Sequence, residues 1–421
     1  MVVTFWPHPR NVLQKEARSL RLLTTLQEKK DILLLIDGLN ELTTDPECKK
    51  KFVIALEKFI NRYPDVKMVV TDRRYSPFRI RLEKTYHLKT MNREDVLRYA
   101  KTRPECTEMV QSLLTELMAD PAFEELEYTP LLINQLLLAL SAHHKLPENR
   151  FELTGIYLEA LLASDAEGVI VCSATKDHTA DIIAAAKAGK HIFTEKVLAL
   201  TDAECDAIET AVNESGVTFV ISLFQKYIGS RKAVKAVADS GELGKINYLR
   251  FRNCHNGSTG NWLPAHFYNA EECGGGAMID LGAHGMYLTQ WILGVPVAAS
   301  SAFTLACDRP DVAEKNTDRV EDNAVTVMSY ENGAIAINET GFVSSNDPVV
   351  FEVHGECGYV RMEGDRVTKR TAATGGQEVE VPVEAGDPAP ILQFVTGNIL
   401  PGCGMAEAKA LTHMMVMAYG R

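Results

Sequence analysis

Three short apolar runs, each followed by a helical stretch or a turn, constrain this chain more than any other feature. EGVIVCS (167–173), HIFTEK (191–196) and VTFVISL (217–223) are too short for buried helices and carry little internal polarity. Such runs form strands covered on both faces, as in a parallel sheet. Between the first two, residues 179–188 place Ile182, Ile183 and Ala186 on one helical face, and Gly189 supplies the stop. Between the second and third, residues 203–215 read as another helix. Strand and helix alternating at this spacing predict a parallel, doubly wound sheet.

After residue 245 the period changes. Residues 246–253, 324–331, 333–342, 349–356, 358–364 and 378–383 alternate polar and apolar positions. This predicts strands with one face on a core and one open, joined by hairpins such as that at Glu331-Asn332-Gly333. The expectation is an antiparallel sheet, entered through a helix at 230–240 and Leu243-Gly244-Lys245, and closed by a helix at 404–421. Its open face could pair with a second copy, giving a homo-oligomer.

The first 162 residues read differently. DILLLID (31–37) and VKMVVTD (66–72) are strand-like and flank a helical stretch at 49–62 with Phe52, Leu56, Phe59 and Ile60 on one face. Together they predict one βαβ unit. Helical patterns follow at 93–101 and 107–118, and an apolar helix at 130–141. Residues 1–162 carry 24 Lys+Arg against 23 Asp+Glu, whereas residues 163–421 carry 20 against 33. That change of character puts the expected seam near residue 162.

LLLIDGLNEL (33–42), Arg73 after the second strand, and Pro130 at the head of TPLLINQLLLAL come in an order that resembles the NACHT class of P-loop NTPases. The resemblance, over residues 28–162, implies a magnesium-holding Asp37, a water-polarising Glu41, a γ-phosphate sensor at Arg73, and a nucleotide contact at Pro130. The chain has no G-x-x-x-x-G-K-[ST], whose backbone N–H groups and Lys would cradle the phosphates, so nucleotide hydrolysis is not expected of this fragment.

Residues from 163 onward resemble the Gfo/Idh/MocA oxidoreductases. The resemblance rests on EGVIVCSATKDHTADIIAAAKAGKHIFTEKVLALT (167–201) and CGGGAMIDLGAHGMYLTQWILG (273–294). It implies a fold in the α/β class. A P-loop-NTPase-like βαβ and helical fragment (1–162) precedes a partial doubly wound parallel (Rossmann-like) sheet (163–244), and an α+β substrate domain with an open antiparallel sheet (245–421) follows. It also implies NAD or NADP as cofactor, with Ser173, Ala174, Thr175 and His178 in a turn at a strand's carboxyl end, and Glu195 with Lys196 beside it. Val197 stands where the family has Pro.

The chemistry implied is hydride transfer between a nicotinamide and a secondary alcohol of a sugar, inositol or diol. By resemblance His284 is the acid/base, Asp280 orients substrate hydroxyls, and Lys196 donates to the reacting oxygen. Asp280 and His284, four apart, would share one helical face, and Met278, Leu281, Leu288 and Ile292 would turn toward the core. The aromatic run Trp262, His266, Phe267 and Tyr268 could line the site. The family's amino-terminal G-x-G-x-x-G is not in the sequence, so the diphosphate of the cofactor has no identified cradle. Gly274 to Gly276 follow no strand and do not replace it. The alternative reading is a catalytically inactive fusion of a NACHT fragment acting as an interaction module.

Bulk properties narrow the partners. A net charge of −12 is wrong for a non-specific nucleic-acid binder. The most apolar stretch, Leu131 to Leu140, is too short for a bilayer span and contains Asn134 and Gln135. Nine cysteines lie singly without C-x-x-C spacing, which predicts neither a metal site nor a disulfide framework and favours the reducing cytoplasm.

Overall fold

The computed structural model describes residues 2–5, 33–36, 54, 56–58, 67–70, 91–120, 128–145, 155, 159, 161–307, 320–344 and 348–421. The chain divides into two compact units, Met1–Asn92 and Arg93–Arg421. In the first, β1 (Val2–Phe5), β2 (Leu33–Ile36) and β3 (Lys67–Val70) form a parallel sheet in that order. The two expected strands are present and parallel. β1 is an addition: four residues give too short a run for periodicity to register, and its pairing with β2 across 31 positions, Val2 with Leu33, identifies it as a strand. Asp37, Glu41 and Arg73 lie outside the described residues.

The second unit begins with α1 (Arg93–Ala100), α2 (Glu108–Leu117) and α3 (Pro130–His143). Thr107 and Thr129 cap α2 and α3 by accepting the amides of Val110 and Leu132. Pro130 occupies the first turn of α3, where its missing N–H costs nothing. Ile133, Leu136, Leu137, Ala139 and Leu140 are buried, while Asn134 is exposed.

β4 (Gly168–Val171), β5 (His191–Thr194) and β6 (Phe219–Ile221) then pair in parallel, in sequence order. α4 (Thr175–Lys187) and α5 (Asp202–Ser215) make the crossovers and pack on each other. Gly189 (φ 71°) and Gly216 (φ 64°) take the left-handed turns that end them. α4 starts four residues earlier than the apolar pattern announced, because its first turn is polar. Thr175 and His178 therefore belong to the helix and not to a preceding turn.

α6 (Gly229–Asp239) leads into an eight-stranded sheet. Its strands are β7 (Ile246–Cys254), β8 (Ala298–Thr304), β9 (Asn323–Ser329), β10 (Ile335–Gly341), β11 (Val350–Gly355), β12 (Gly358–Glu363), β13 (Arg366–Thr371) and β14 (Val379–Glu380). Their order is β14-β13-β12-β11-β7-β10-β9-β8. The sheet is mixed, correcting the antiparallel expectation: β7 and β10 run parallel. Period-two patterning tells which face of a strand is buried but not which neighbour it meets or in what direction.

Against the covered face lie a π-helical turn, Met278–Gly282, and α7 (Ala283–Leu293), with the closing helix α9 (Met405–Tyr419) beside α7. Met278 and Leu288 are fully buried, and Ile292 packs at the edge of the same core. A short helix α8 (Pro390–Thr396), β8 and β13 were not expected from the sequence pattern. β8 is built of small residues with no apolar alternation.

Candidate active site

The parallel register sets Val171 beside Thr194, so the chain leaves β4 and β5 at the same edge. The Glu195 amide donates to the Val171 carbonyl (3.0 Å), holding the two exits together. His178 is buried beneath them, its Nδ1 2.9 Å from the Val197 carbonyl and its Nε2 3.1 Å from the Ser173 carbonyl. Both ring nitrogens lie against backbone carbonyls, to which the ring donates, so His178 shapes this edge from beneath rather than facing outward. Ser173 Oγ donates to Asp181 (2.6 Å). Ala174 precedes α4 without a side-chain cap, and of the first-turn amides that of Asp177 donates to the Ala174 carbonyl (2.8 Å). The Lys196–Val197 peptide is cis.

Lys196 and Asp280 meet across 84 residues. Lys196 Nζ donates to the Asp280 carbonyl oxygen (2.7 Å) and to its Oδ1 (2.8 Å). Burial by itself would raise the Asp280 carboxyl, but the Lys196 charge and hydrogen bond, with His284 and His255 nearby, hold it below the usual carboxylate range. Asp280 sits in the π-helical turn, not in a regular helix shared with His284, so the expected common face is only approximate. Asn338 Nδ2 donates to the Gly282 carbonyl (2.7 Å) inside that turn. π-turns recur where a helix must re-aim side chains at a site.

His284 opens α7 and is 7% exposed. Its Nδ1 lies 2.9 Å from the Tyr287 hydroxyl, and its ring is edge-on to Phe224 at 5.3 Å between centroids. Burial, seconded by the charges of Lys196 and Arg231, pushes the imidazole down to about 3 despite the opposing pull of Asp280. His284 is therefore neutral at physiological pH.

The triple glycine positions this helix. Gly276 lies so close to Glu321 that a Cβ would come within 1.9 Å of the Glu321 carbonyl oxygen. The Glu321 carboxylate accepts the amides of Gly276 (3.1 Å) and Met278 (2.9 Å) and the Tyr419 hydroxyl (2.7 Å). The glycines thus permit close backbone approach within the second sheet domain. Glu321, Tyr287, Phe224 and Asn338 carried no motif, since each acts through a long-range contact or a position that reads as core.

The aromatic run divides. Tyr268 is fully buried and bonded to Ser258, and Phe267 packs in a small core with Leu263, Phe342 and Leu281. Trp262 and His266 alone of the four are exposed, with Trp262 against the His255 ring at 4.6 Å. Among the described residues no three His, Cys, Asp or Glu side chains are grouped to hold a metal ion. None of the described helices is long and apolar enough to cross a membrane.

Fold and site together define the class: a Rossmann-like α/β protein carrying a second, mixed-sheet domain, with polar groups gathered at the carboxyl edge of the parallel sheet where such folds take ligands. Residues 134–223 match the family model of the oxidoreductase family's NAD-binding Rossmann fold, and residues 232–361 match the GFO/IDH/MocA C-terminal domain. The chain therefore carries the NAD-binding and C-terminal domains of the Gfo/Idh/MocA family. The first match begins inside α3, and the comparisons lend no support to the NTPase resemblance of residues 28–162.

Among its relatives is an uncharacterized oxidoreductase of Bacillus subtilis, YrbE, 28% identical over 224 residues, which are 53% of this chain and 62% of that protein. The scyllo-inositol 2-dehydrogenase (NAD(+)) of the same organism is 28% identical over 168 residues, covering 40% and 46%. This chain thus spans less than two thirds of either relative. The crystal structure of aldose-aldose oxidoreductase from Caulobacter crescentus complexed with glycerol superposes with a TM-score of 0.54 at 20% identity, over 71% of this chain and 91% of that one.

A nicotinamide cofactor fits one end of the site. The uncapped start of α4, Glu195 and Lys196 offer donors and acceptors at the β4 and β5 edge. The glycine fingerprint that would cradle its diphosphate is not in the sequence.

Proposed function

We propose that this protein is an NAD(P)-dependent oxidoreductase acting on a secondary alcohol of a sugar, inositol or diol. The observation that carries the reading is the Lys196–Asp280 pair beside the neutral, buried His284 at the carboxyl edge of the parallel sheet. A bound nicotinamide supplies the hydride donor or acceptor. Ser173, Ala174, Thr175 and Glu195 hold its ribose side, with His178 fixing the backbone they hang from. Lys196 has three N–H bonds, and Asp280 engages two of them, which aims the third at a substrate oxygen. Asp280 fixes the orientation of that ammonium, and His284 completes the polar wall.

Titration of the full chain with NADH and NADPH, followed by quenching of protein fluorescence and by calorimetry, tests this. Saturable binding in the micromolar range supports the reading, and no binding up to millimolar cofactor overturns it. We also propose a cytoplasmic location, the expectation that the singly spaced cysteines of the sequence carry. The reading also has two copies pairing through the open sheet face, where Val325, Val327 and Ile335 are exposed.

A further inference from the structure

Trp262 is 45% exposed but held at one edge and one face. Its Nε1–H donates to Asn256 Oδ1 at 3.0 Å, and the indole packs against the His255 ring at 4.6 Å between centroids. His255 in turn stacks on the fully buried Phe342 ring, 5.1 Å away and 11° from parallel. The loop is closed on itself. The Gly260 amide donates to the Asn256 carbonyl (2.6 Å), and the Trp262 and Leu263 amides donate to that of Gly257 (3.2 Å each). A Cβ at Gly260 would come within 2.9 Å of the indole, and one at Gly257 within 2.7 Å of the imidazole. Side chains there would push the rings off this stack. Asn261 takes a left-handed backbone (φ 58°), which Asn tolerates better than most residues, just before the indole.

Core packing does not account for this arrangement. A tryptophan serving only the core would hide its ring with Leu263, Tyr268 and Phe342. Here a hydrogen bond, two glycines and a left-handed Asn keep one indole face in water. Among the described residues, His255 is the one ring in contact with it.

The stack stands beside the candidate catalytic groups. Phe342 belongs to the small core that includes Leu281, which follows Asp280 in the π-turn. The Thr340 hydroxyl donates to the Ala277 carbonyl (3.1 Å) at the head of that turn. His255 and Asp280 each act on the other's charge.

We propose that Trp262 determines specificity: it is a flat platform that takes the C–H face of a ring-shaped polyol and so selects cyclic over open-chain substrates. The proposal deepens the oxidoreductase reading and rests on it. A saturated six-membered ring with equatorial hydroxyls has two kinds of surface. Its hydroxyls point outward around the rim, and its axial C–H bonds stand perpendicular to the ring. The rim suits the Lys196 ammonium and the Asp280 carboxylate. The C–H face suits an indole, whose π cloud is negative where those bonds are slightly positive. An open-chain polyol has no lasting apolar face and loses more rotational freedom on binding, so it gains little from a flat partner. The competing occupant of a bare indole is a quaternary ammonium.

The test uses the full chain, with and without saturating NADH, and three probes. These are methyl β-D-glucopyranoside for the ring, D-glucitol for the open chain, and tetramethylammonium for the cation. Saturation-transfer NMR reads which probe protons touch the protein. Transfer is expected to be strongest at the axial C–H protons on one face of the glucopyranoside, which should bind about tenfold or more tightly than glucitol. Trp262→Leu keeps apolar bulk without a flat face, and should erase the face pattern and bring the two affinities to within about twofold. Trp262→Phe keeps an aromatic face and should retain most of both, which a merely structural role would not require.

No transfer to the ring in either cofactor state, equal affinity of the parent for ring and chain, or an unchanged pattern in Trp262→Leu would each overturn the proposal. So would tetramethylammonium displacing the bound ring at lower concentration than glucitol does. Failure of NADH to bind would sink the oxidoreductase reading while ring contact at Trp262 still stood. Loss of that contact with NADH bound would sink the platform alone.

Discussion

Lys196, Asp280 and His284 come from distant parts of the chain, and each is ordinary alone. What makes them a set is a shared enclosure in which every charge is answered. The Lys196–Asp280 pair is hydrogen-bonded twice, with side chains 12% and 25% exposed. Removing one partner should therefore cost more than losing a surface ion pair. Asp280→Asn keeps the shape but removes the charge, and should cut kcat/KM by about tenfold or more through a less firmly held Lys196 (steady-state kinetics).

His284 also makes stability depend on pH. Its folded value, about 3, lies below the unfolded one of 6.5, so the unfolded chain binds the extra proton between those limits. The contribution is full above the unfolded value and is lost as pH falls toward the folded one, by up to about 1.4 kcal/mol per pH unit. Urea midpoints measured from neutral to mildly acid pH should fall more steeply for the parent than for His284→Gln.

At the scale of elements, the π-turn and α7 depend on what grips them. Glu321 answers the amides of Gly276 and Met278, and Tyr419 from α9 reaches the same carboxylate. Glu321→Ala would orphan buried donors and should lower stability by roughly 1–3 kcal/mol in urea denaturation. At Gly285 a Cβ would sit 2.2 Å from Asn338 Oδ1 and 2.8 Å from the Phe251 ring. Alanine is the better helix former by about 1 kcal/mol. Asn338 and Phe251 are nonetheless fully buried and cannot yield, so Gly285→Ala should destabilise by about 1–3 kcal/mol. The glycine motif was visible in the sequence, but its purpose was not. The groups requiring Gly276, Glu321 and Val320, come from a loop more than 40 residues away.

For the whole molecule, the mixed sheet presents an open face on which Val327 and Ile337 stand opposite each other, beside the Arg250–Glu339 and Arg250–Glu352 ion pairs. Sedimentation equilibrium should show association through this face, and Val327→Arg should shift the protein toward monomer without altering its thermal midpoint by more than a degree or two. The parallel β4-β5-β6 sheet, its crossover helices and the alternating strands beyond residue 245 were determined by the sequence alone. Hydrophobic period is a local property, and burial enforces it. Lys196, Asp280 and His284 were singled out there as candidates because short motifs carried them. The tertiary structure decided the rest: the parallel pairing of β7 with β10, the π-turn beneath Asp280, the backbone duty of His178, and the contact between Tyr287 and His284. Each depends on which groups meet across tens of residues. A hydrogen bond's direction is set by the full list of donors and acceptors around it, and only the folded chain assembles that list.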